Sequence, residues 1–329
     1  MRAMRCLFAV LCLPVLILLG ACSRAESPSK PLLLGLSDWP GYAPFYAAAK
    51  LGLYRPTSIE IKSFGSNFDL NRAFVQRRLD VLATPLFDAL RIADEGVPLK
   101  IILLCDYSNG GDGIVARREI ASVRDLRGKK VAVELGAITH FVLLSALAQA
   151  RIAESDVQLV NLSIPEAVSA FEQGKLDAAT LWDPHFARLA SAPNAHRIFS
   201  SKEIPGQVID VLIVHKDVAE ERPEDVRRVV RAWEEVLAAR RQRPAEIEET
   251  MAREMNRTPE ELRADFAGLE LLDLAKNREL YAPGPEDERS ARRAYAATVD
   301  FMVRHQLLKR PAPEAGEILD ARFLDAAAN

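Results

Sequence analysis

The sequence predicts an α/β fold built as two similar lobes, and three observations carry that expectation. Short apolar runs alternate with helical patterns through the first two thirds of the chain. An internal echo repeats one helix-to-strand junction: Ala73-Phe74-x-Gln76-x-x-Leu79-Asp80 returns as Ala170-Phe171-x-Gln173-x-x-Leu176-Asp177. Each copy then enters a small-residue strand and a proline loop, Ala83-Thr84-Pro85 and Leu181-Trp182-Asp183-Pro184. Similar lobes over about residues 32–110 and 118–206, with Val208–Lys216 returning to the first, imply two chain crossings and a cleft between them.

Each element has a local reason. Leu32–Leu36, Ile59–Phe64, Val81–Ala83, Leu99–Cys105, Lys130–Glu134, Val157–Leu162, Ala178–Leu181 and Val208–Val214 read as strands. Helices are expected over Pro44–Leu51, stopped by Gly52, over Asn67–Arg78, and from Thr139 to Ala150. The chain beyond residue 217 is helical, and Thr258-Pro259-Glu260-Glu261 is a capping box with proline at the first helical position. The lone Cys105 in its apolar run reads as a small buried hydrophobe.

The N-terminus is a leader. Arg2 and Arg5 precede the apolar run Leu7–Leu19, and Leu19-Gly20-Ala21-Cys22 closes it. The run falls short of the roughly 20 residues a spanning helix needs. The small residues before Cys22 resemble the bacterial lipobox, which implies lipid on the Cys22 sulfur, cleavage before it, and an acyl anchor. Residues 23–31 read as a tether. Losing Arg2 and Arg5 moves the formal charge from −3 to −5, and with no basic excess nucleic acid is excluded as a partner.

The leading motifs have a family likeness. Leu36-Ser-Asp-Trp-Pro-Gly-Tyr-Ala-Pro44, Asp125-Leu-Arg-Gly-Lys-Lys-Val-Ala-Val133, and Ala170–Asp177 with Trp182-Asp183-Pro184 resemble the solute-binding proteins of nitrate/sulfonate/taurine-type ABC importers, whose relatives include pyrimidine-precursor binders. The likeness runs over about residues 32–327. It implies a type II periplasmic binding protein fold: two α/β lobes joined by a two-strand hinge. The lobes divide as 32–112 with 212–329, the latter adding a helical extension, and 113–211; residues 1–21 are the signal peptide and 22–31 the lipidated tether. It implies a monomer in the periplasm or at the cell surface, membrane-anchored by lipid, partnered by a small-molecule solute, an ABC permease and its ATPase, with no cofactor or metal.

Candidate ligand residues fall where the strands of such lobes end. Asp38, Trp39 and Tyr42 follow the first strand, with Pro40 and Gly41 setting a turn. Ser66 and Asn67 open a helix, where they serve either as caps or as the mouth of an anion site. Gly136, Ile138 and Thr139 open the helix of the second lobe; Thr84 and the pair Trp182 and Asp183 close the echoed strands. Asp112 and Asp210 lie at the crossings, for the hinge or for the ligand.

Enzyme signatures are missing: there is no Gly-x-Ser-x-Gly, His-Glu-x-x-His or Walker motif, and His140, His185, His196, His215 and His305 lack metal-ligand spacing. An enzyme on the same fold, of the pyrimidine-biosynthesis type, is the alternative. The expected solute is sulfonate- or taurine-like, amine-bearing or pyrimidine-like. The four aspartates favour an amine, a zwitterion or a donor-rich heterocycle over an inorganic anion. Cys22→Ala should release the protein from membranes or stall its processing; a cleaved yet membrane-bound variant, read by fractionation and immunoblot, contradicts the lipid assignment.

Overall fold

The computed structural model describes residues 30–282 and 290–325. The leader, Cys22 and most of the tether lie outside the described residues. No helix among the described residues is long and apolar enough to cross a membrane.

The chain opens with β1 (Leu32–Ser37), a 3-10 turn Pro40–Tyr42, and α1 (Ala43–Lys50). There follow β2 (Ile59–Phe64), α2 (Asn67–Val75), β3 (Val81–Pro85), α3 (Leu86–Asp94) and β4 (Leu99–Ser108). The helix expected to reach Arg78 stops at Val75, because Arg77 turns left-handed at φ 61°. Helix α3 was hidden in sequence: it starts directly after Pro85, so strand and helix share one apolar run.

The chain then crosses to a second sheet with β5 (Asp112–Arg117), β6 (Lys130–Val133), α4 (Ile138–Ala150), β7 (Gln158–Asn161), α5 (Ile164–Glu172), β8 (Ala178–Trp182), α6 (His185–Ala190) and β9 (Ala195–Ser200). Strands β5 and β9 were also missed; Gly113 and the charged residues of Ala195–Ser200 break any simple apolar pattern. The chain recrosses into β10 (Ile209–His215). It ends in α7 (Lys216–Glu221), α8 (Pro223–Gln242), α9 (Pro244–Glu254), α10 (Pro259–Phe266), β11 (Leu269–Leu271), α11 (Leu274–Tyr281), α12 (Ala291–Arg304) and α13 (Ala315–Ile318). The capping box forms: Thr258 Oγ1 accepts from Glu261 N at 3.2 Å, and Thr258 N donates to Glu261 Oε2 at 2.8 Å.

The first sheet has the order β11-β4-β10-β3-β1-β2 and the second β7-β6-β8-β5-β9. In each, three parallel strands are followed by one antiparallel strand donated by the opposite crossing: β10 beside β3, and β5 beside β8. The echo has a structural meaning. Asp80 Oδ2 accepts from Leu33 N at 2.8 Å, and Asp177 Oδ2 accepts from Lys130 N at 2.8 Å, each pair 47 residues apart. The same aspartates donate their own N–H to the carbonyls of Leu33 and Lys130. Each carboxylate thus clamps the third strand of its sheet to the first at the edge where both begin.

Helix α4 is buried on every face from Ile138 to Leu147, as expected of a helix enclosed by protein. Phe141 on α4 meets Phe87 of α3 at 5.5 Å and Phe301 of α12 at 4.5 Å between ring centroids. This apolar seam joins the two sheets on one side of the cleft. On the far side of the first sheet, Trp233 of α8 packs on Phe45 at 4.7 Å and donates to Leu272 O at 2.9 Å. Asp80→Ala and Asp177→Ala should each lower stability by about 1–2 kcal/mol, since each frees one backbone N–H from a charged acceptor. Urea unfolding should register similar losses for the two; a loss at one site alone would contradict their equivalence.

Candidate functional site: a carboxyl-walled cavity between two sheets

The two crossings bring the ends of β4, β5 and β10 together. Strand β4 carries a bulge: Asp210 faces Asp106, but Val211 faces Leu104, leaving Cys105 extra. The freed groups are satisfied from the C-terminal extension. Leu272 N donates to Cys105 O at 2.9 Å, and the buried Asn277 side chain bonds both Leu104 N and Leu104 O, at 2.8 and 2.9 Å. Burial pushes the Cys105 thiol well above its usual range, so it is an inert hydrophobe.

The bulge sets two carboxyls side by side. Asp106 and Asp210 are buried and hydrogen-bonded to each other; burial, reinforced for Asp106 by the charge of Asp210, holds both well above the usual carboxylate range. Two carboxyls this close in a buried setting share one proton between them. Two aromatic donors complete the network. Trp39 Nε1 donates to Asp106 Oδ1 at 3.1 Å, and Tyr42 Oη donates to Asp210 Oδ1. Gly41 is required between them, because a Cβ there would collide with Asp106 Oδ2 and the Trp39 indole nitrogen. Across the first crossing, Trp39 lies over Gly111, where an added Cβ would come within 2.6 Å of the ring.

The crossings are tied together. Ser108 Oγ and Ser201 Oγ lie 2.8 Å apart, and Gly110 N donates to Ser201 Oγ at 2.6 Å. Gly268 O, ahead of β11, accepts from Asn109 N at 2.7 Å and Gly111 N at 3.1 Å.

These walls enclose a cavity of ≈ 240 Å³ of atom-free space, narrow enough that little more than one water fits. Seven of the candidates read from sequence meet there: Trp39, Tyr42, Asn67, Asp112, Ile138, Trp182 and Asp210. Ser37, Pro85 and Val208 join them, unforeseen, and Asp106 stands behind Asp210. Burial pushes Asp112 up to about 7.

The structure places the other six candidates outside this wall. Ser66 caps α2, accepting from Asp69 N at 3.2 Å. Thr84 turns inward and donates to Asn71 Oδ1 at 3.0 Å. Asp183 caps α6 through Ala187 N at 2.9 Å, and burial lifts it to about 7. Thr139 Oγ1 accepts from Glu134 N at 3.0 Å, and Gly136 N donates to His140 Nδ1 at 3.2 Å. Asp38 reaches across the cleft mouth, its Oδ2 3.1 Å from His185 Nε2. Two further buried carboxyls influence each other, Asp88 of α3 and Glu134 just after β6. Asp88 is held near 8 and Glu134 near 7, both by burial, with the charge of Glu134 adding to the shift of Asp88.

The architecture now meets its relatives. Residues 25–254 match the model of the NMT1-like family. The chain belongs to the NMT1-like family. The taurine-binding periplasmic protein of Escherichia coli K12 is 32% identical over 139 residues, 41% of this chain and 42% of that protein. The match thus spans about two fifths of the curated relative's length. The alkanesulfonate-binding protein SsuA from Xanthomonas axonopodis pv. citri, solved bound to MOPS, superposes with a TM-score of 0.72 over 89% of this chain and 100% of its own, at 18% identity. The desulfurization enzyme DSZB also superposes, with a TM-score of 0.63 over 90% of this chain and 98% of its own, at 16% identity. Similarity at this level shows the fold, and this NMT1-like chain has the periplasmic binding protein fold that its motifs predicted.

The raised carboxyls have a stability consequence. A carboxyl whose folded pKa is raised binds its proton more tightly folded than unfolded, so its contribution is full below about pH 4 and is lost as pH rises through the folded value. For Asp112, Glu134 and Asp88 those values are about 7, 7 and 8. The melting temperature should therefore fall between pH 6.5 and 8.5, a window in which no depressed carboxylate titrates. Asp112→Asn should flatten that slope by up to about 1.4 kcal/mol per pH unit, the value for one proton. A wild-type stability that rises across this window would contradict the assignment.

Proposed function

We propose that this chain is the extracytoplasmic solute-binding component of an ABC importer, holding a small organic solute between its lobes and presenting the closed form to a permease with its ATPase. The single observation that carries the reading is the position of the cavity. Its wall draws on β1 and the turn after it, on the start of α2, on both crossing strands, and on the start of α4 and the end of β8 in the second sheet. A solute there touches both lobes and both hinge segments at once, so binding energy and closure are the same event. Family membership and the likeness to taurine- and alkanesulfonate-binding proteins support the same reading.

Capture without chemistry is the part of the proposal that the wall supports. Its titratable members are carboxyl and phenol groups, with no histidine, lysine or cysteine among the lining residues. A nucleophile paired with a base, the minimum for covalent catalysis, is not assembled on that wall. The lipid anchor on Cys22 and a monomeric state complete the proposal: a tethered receiver at the membrane surface, in the periplasm or on the cell exterior.

With room for little more than one water in this form, the cavity takes a solute only as the lobes part, and its narrow wall suits one of few heavy atoms. Trp39 and Trp182, two of the three tryptophans, stand in its wall and report occupancy by fluorescence. Titration with amines, sulfonates and pyrimidines should find a solute that changes the emission, and X-ray scattering with that solute should show a smaller radius than without it. A chain whose emission and radius respond to none of these classes is not a solute receiver.

A further inference from the structure

The cavity is acidic and carries no counter-charge. Its charged wall residues are Asp112 and Asp210, and none of the lining residues is a lysine or arginine. One proton shared by Asp106 and Asp210 leaves the pair a single negative charge, already served by Tyr42 and Trp39. Asp112, when ionised, adds a second charge to the same small space.

Two further atoms of the wall stand unpaired. Trp182 Nε1, a donor on a side chain 2% exposed, makes no hydrogen bond within the protein. Asn67 Oδ1, an acceptor on a side chain 3% exposed, makes none either. Both side chains line the cavity, one from each sheet's edge. A buried donor and acceptor left alone are costly, so Trp182 calls for an acceptor atom and Asn67 for a donor.

We infer that the cavity takes a compact organic cation, a protonated amine or amidine whose N–H groups meet Asp112, Asp210 and the Asn67 carbonyl while an acceptor atom of the same molecule takes the Trp182 indole N–H, and that it rejects simple sulfonates and inorganic anions. The inference rests on the solute-binding reading and narrows it to one charge class. A cation relieves the repulsion between Asp112 and Asp210, and the faces of Trp39, Tyr42 and Trp182 favour it further. An anion gains one indole N–H and meets two carboxyls in a low-dielectric space, where like charges repel most strongly. The relatives named for sulfonates share the architecture, and the wall of this chain differs from what a sulfonate alone requires, which is positive charge or a dense set of donors.

The test is a thermal-shift and tryptophan-emission titration of the mature protein at pH 8 and constant ionic strength. Ethanolamine and acetamidine are compared with isethionate and methanesulfonate at millimolar concentrations. The cations should raise the melting temperature by a few degrees and change the emission; the sulfonates should do neither. Asp112→Asn and Asp210→Asn should raise the half-saturating cation concentration at least tenfold, and Trp182→Phe should raise it several-fold for ethanolamine. The ligand-free melting curve of each variant verifies that it folds, and Trp182→Phe, which keeps every charge, provides an independent variant. Stabilisation by a sulfonate and not by a cation overturns the inference and leaves the solute-binding reading standing. A shift with neither class also overturns it, and if scattering then shows no closure with any solute, the solute-binding reading falls with it.

Discussion

Two carboxyls face each other across adjacent strands, out of reach of bulk water, and much of the local architecture serves that pairing. Asp106 and Asp210 cannot both be charged there, so one proton is held between them. Trp39 and Tyr42 donate to them, the Cys105 bulge aims Asp106 into position, and Gly41 leaves the room in which the indole reaches it. The bulge in turn needs the extension: Asn277 and Leu272 take up the backbone groups of Leu104 and Cys105 that β10 leaves unpaired. Without α11 and the segment before it, those groups would be buried and unbonded, a cost of a few kcal/mol.

The two sheets share an order and diverge in chemistry. The paired clamps Asp80–Leu33 and Asp177–Lys130 show the common scaffold at its most repetitive. At the opposite edge, where the cleft lies, the likeness ends. The first sheet delivers the polar turn Trp39–Tyr42, whereas the second delivers the start of α4, which meets the cavity with the apolar Ile138. One lobe therefore contributes most of the hydrogen-bonding groups and the other a hydrophobic lid, joined by the Phe87–Phe141–Phe301 seam.

Shared architecture leaves ligand chemistry to a handful of wall side chains. The neighbours' skeletons and this one superpose over most of their lengths at 18% identity or less, which shows a shared fold and leaves the wall side chains of each to be read separately.

Much of this was legible from residues alone. Alternating apolar runs placed β1, β2, β3, β6, β8 and β10, the Thr258 box placed the start of α10, and the echo announced two related sheets, because each of these signals is local in the chain. Trp39, Tyr42, Asn67, Asp112, Ile138, Trp182 and Asp210 could be named for the cavity because strand ends and crossings are where such folds expose their edges. Asp106 could not. It follows an apolar run whose alternation is broken by the bulge at Cys105, and its partner lies more than a hundred residues away. Strands β5 and β9 escaped because Gly113 in one and His196 and Arg197 in the other interrupt the apolar pattern, and only their pairing with each other and with β8 makes them strands. Asp38, Thr84 and Asp183 had the right residue types near the right edges, yet a neighbour claimed each one: His185, Asn71 and the N–H of Ala187. Sequence periodicity determines which residues form elements and roughly where a cleft must lie. Which side chains face one another across it is decided only when distant strands pair, because a carboxyl's charge depends on what is buried beside it.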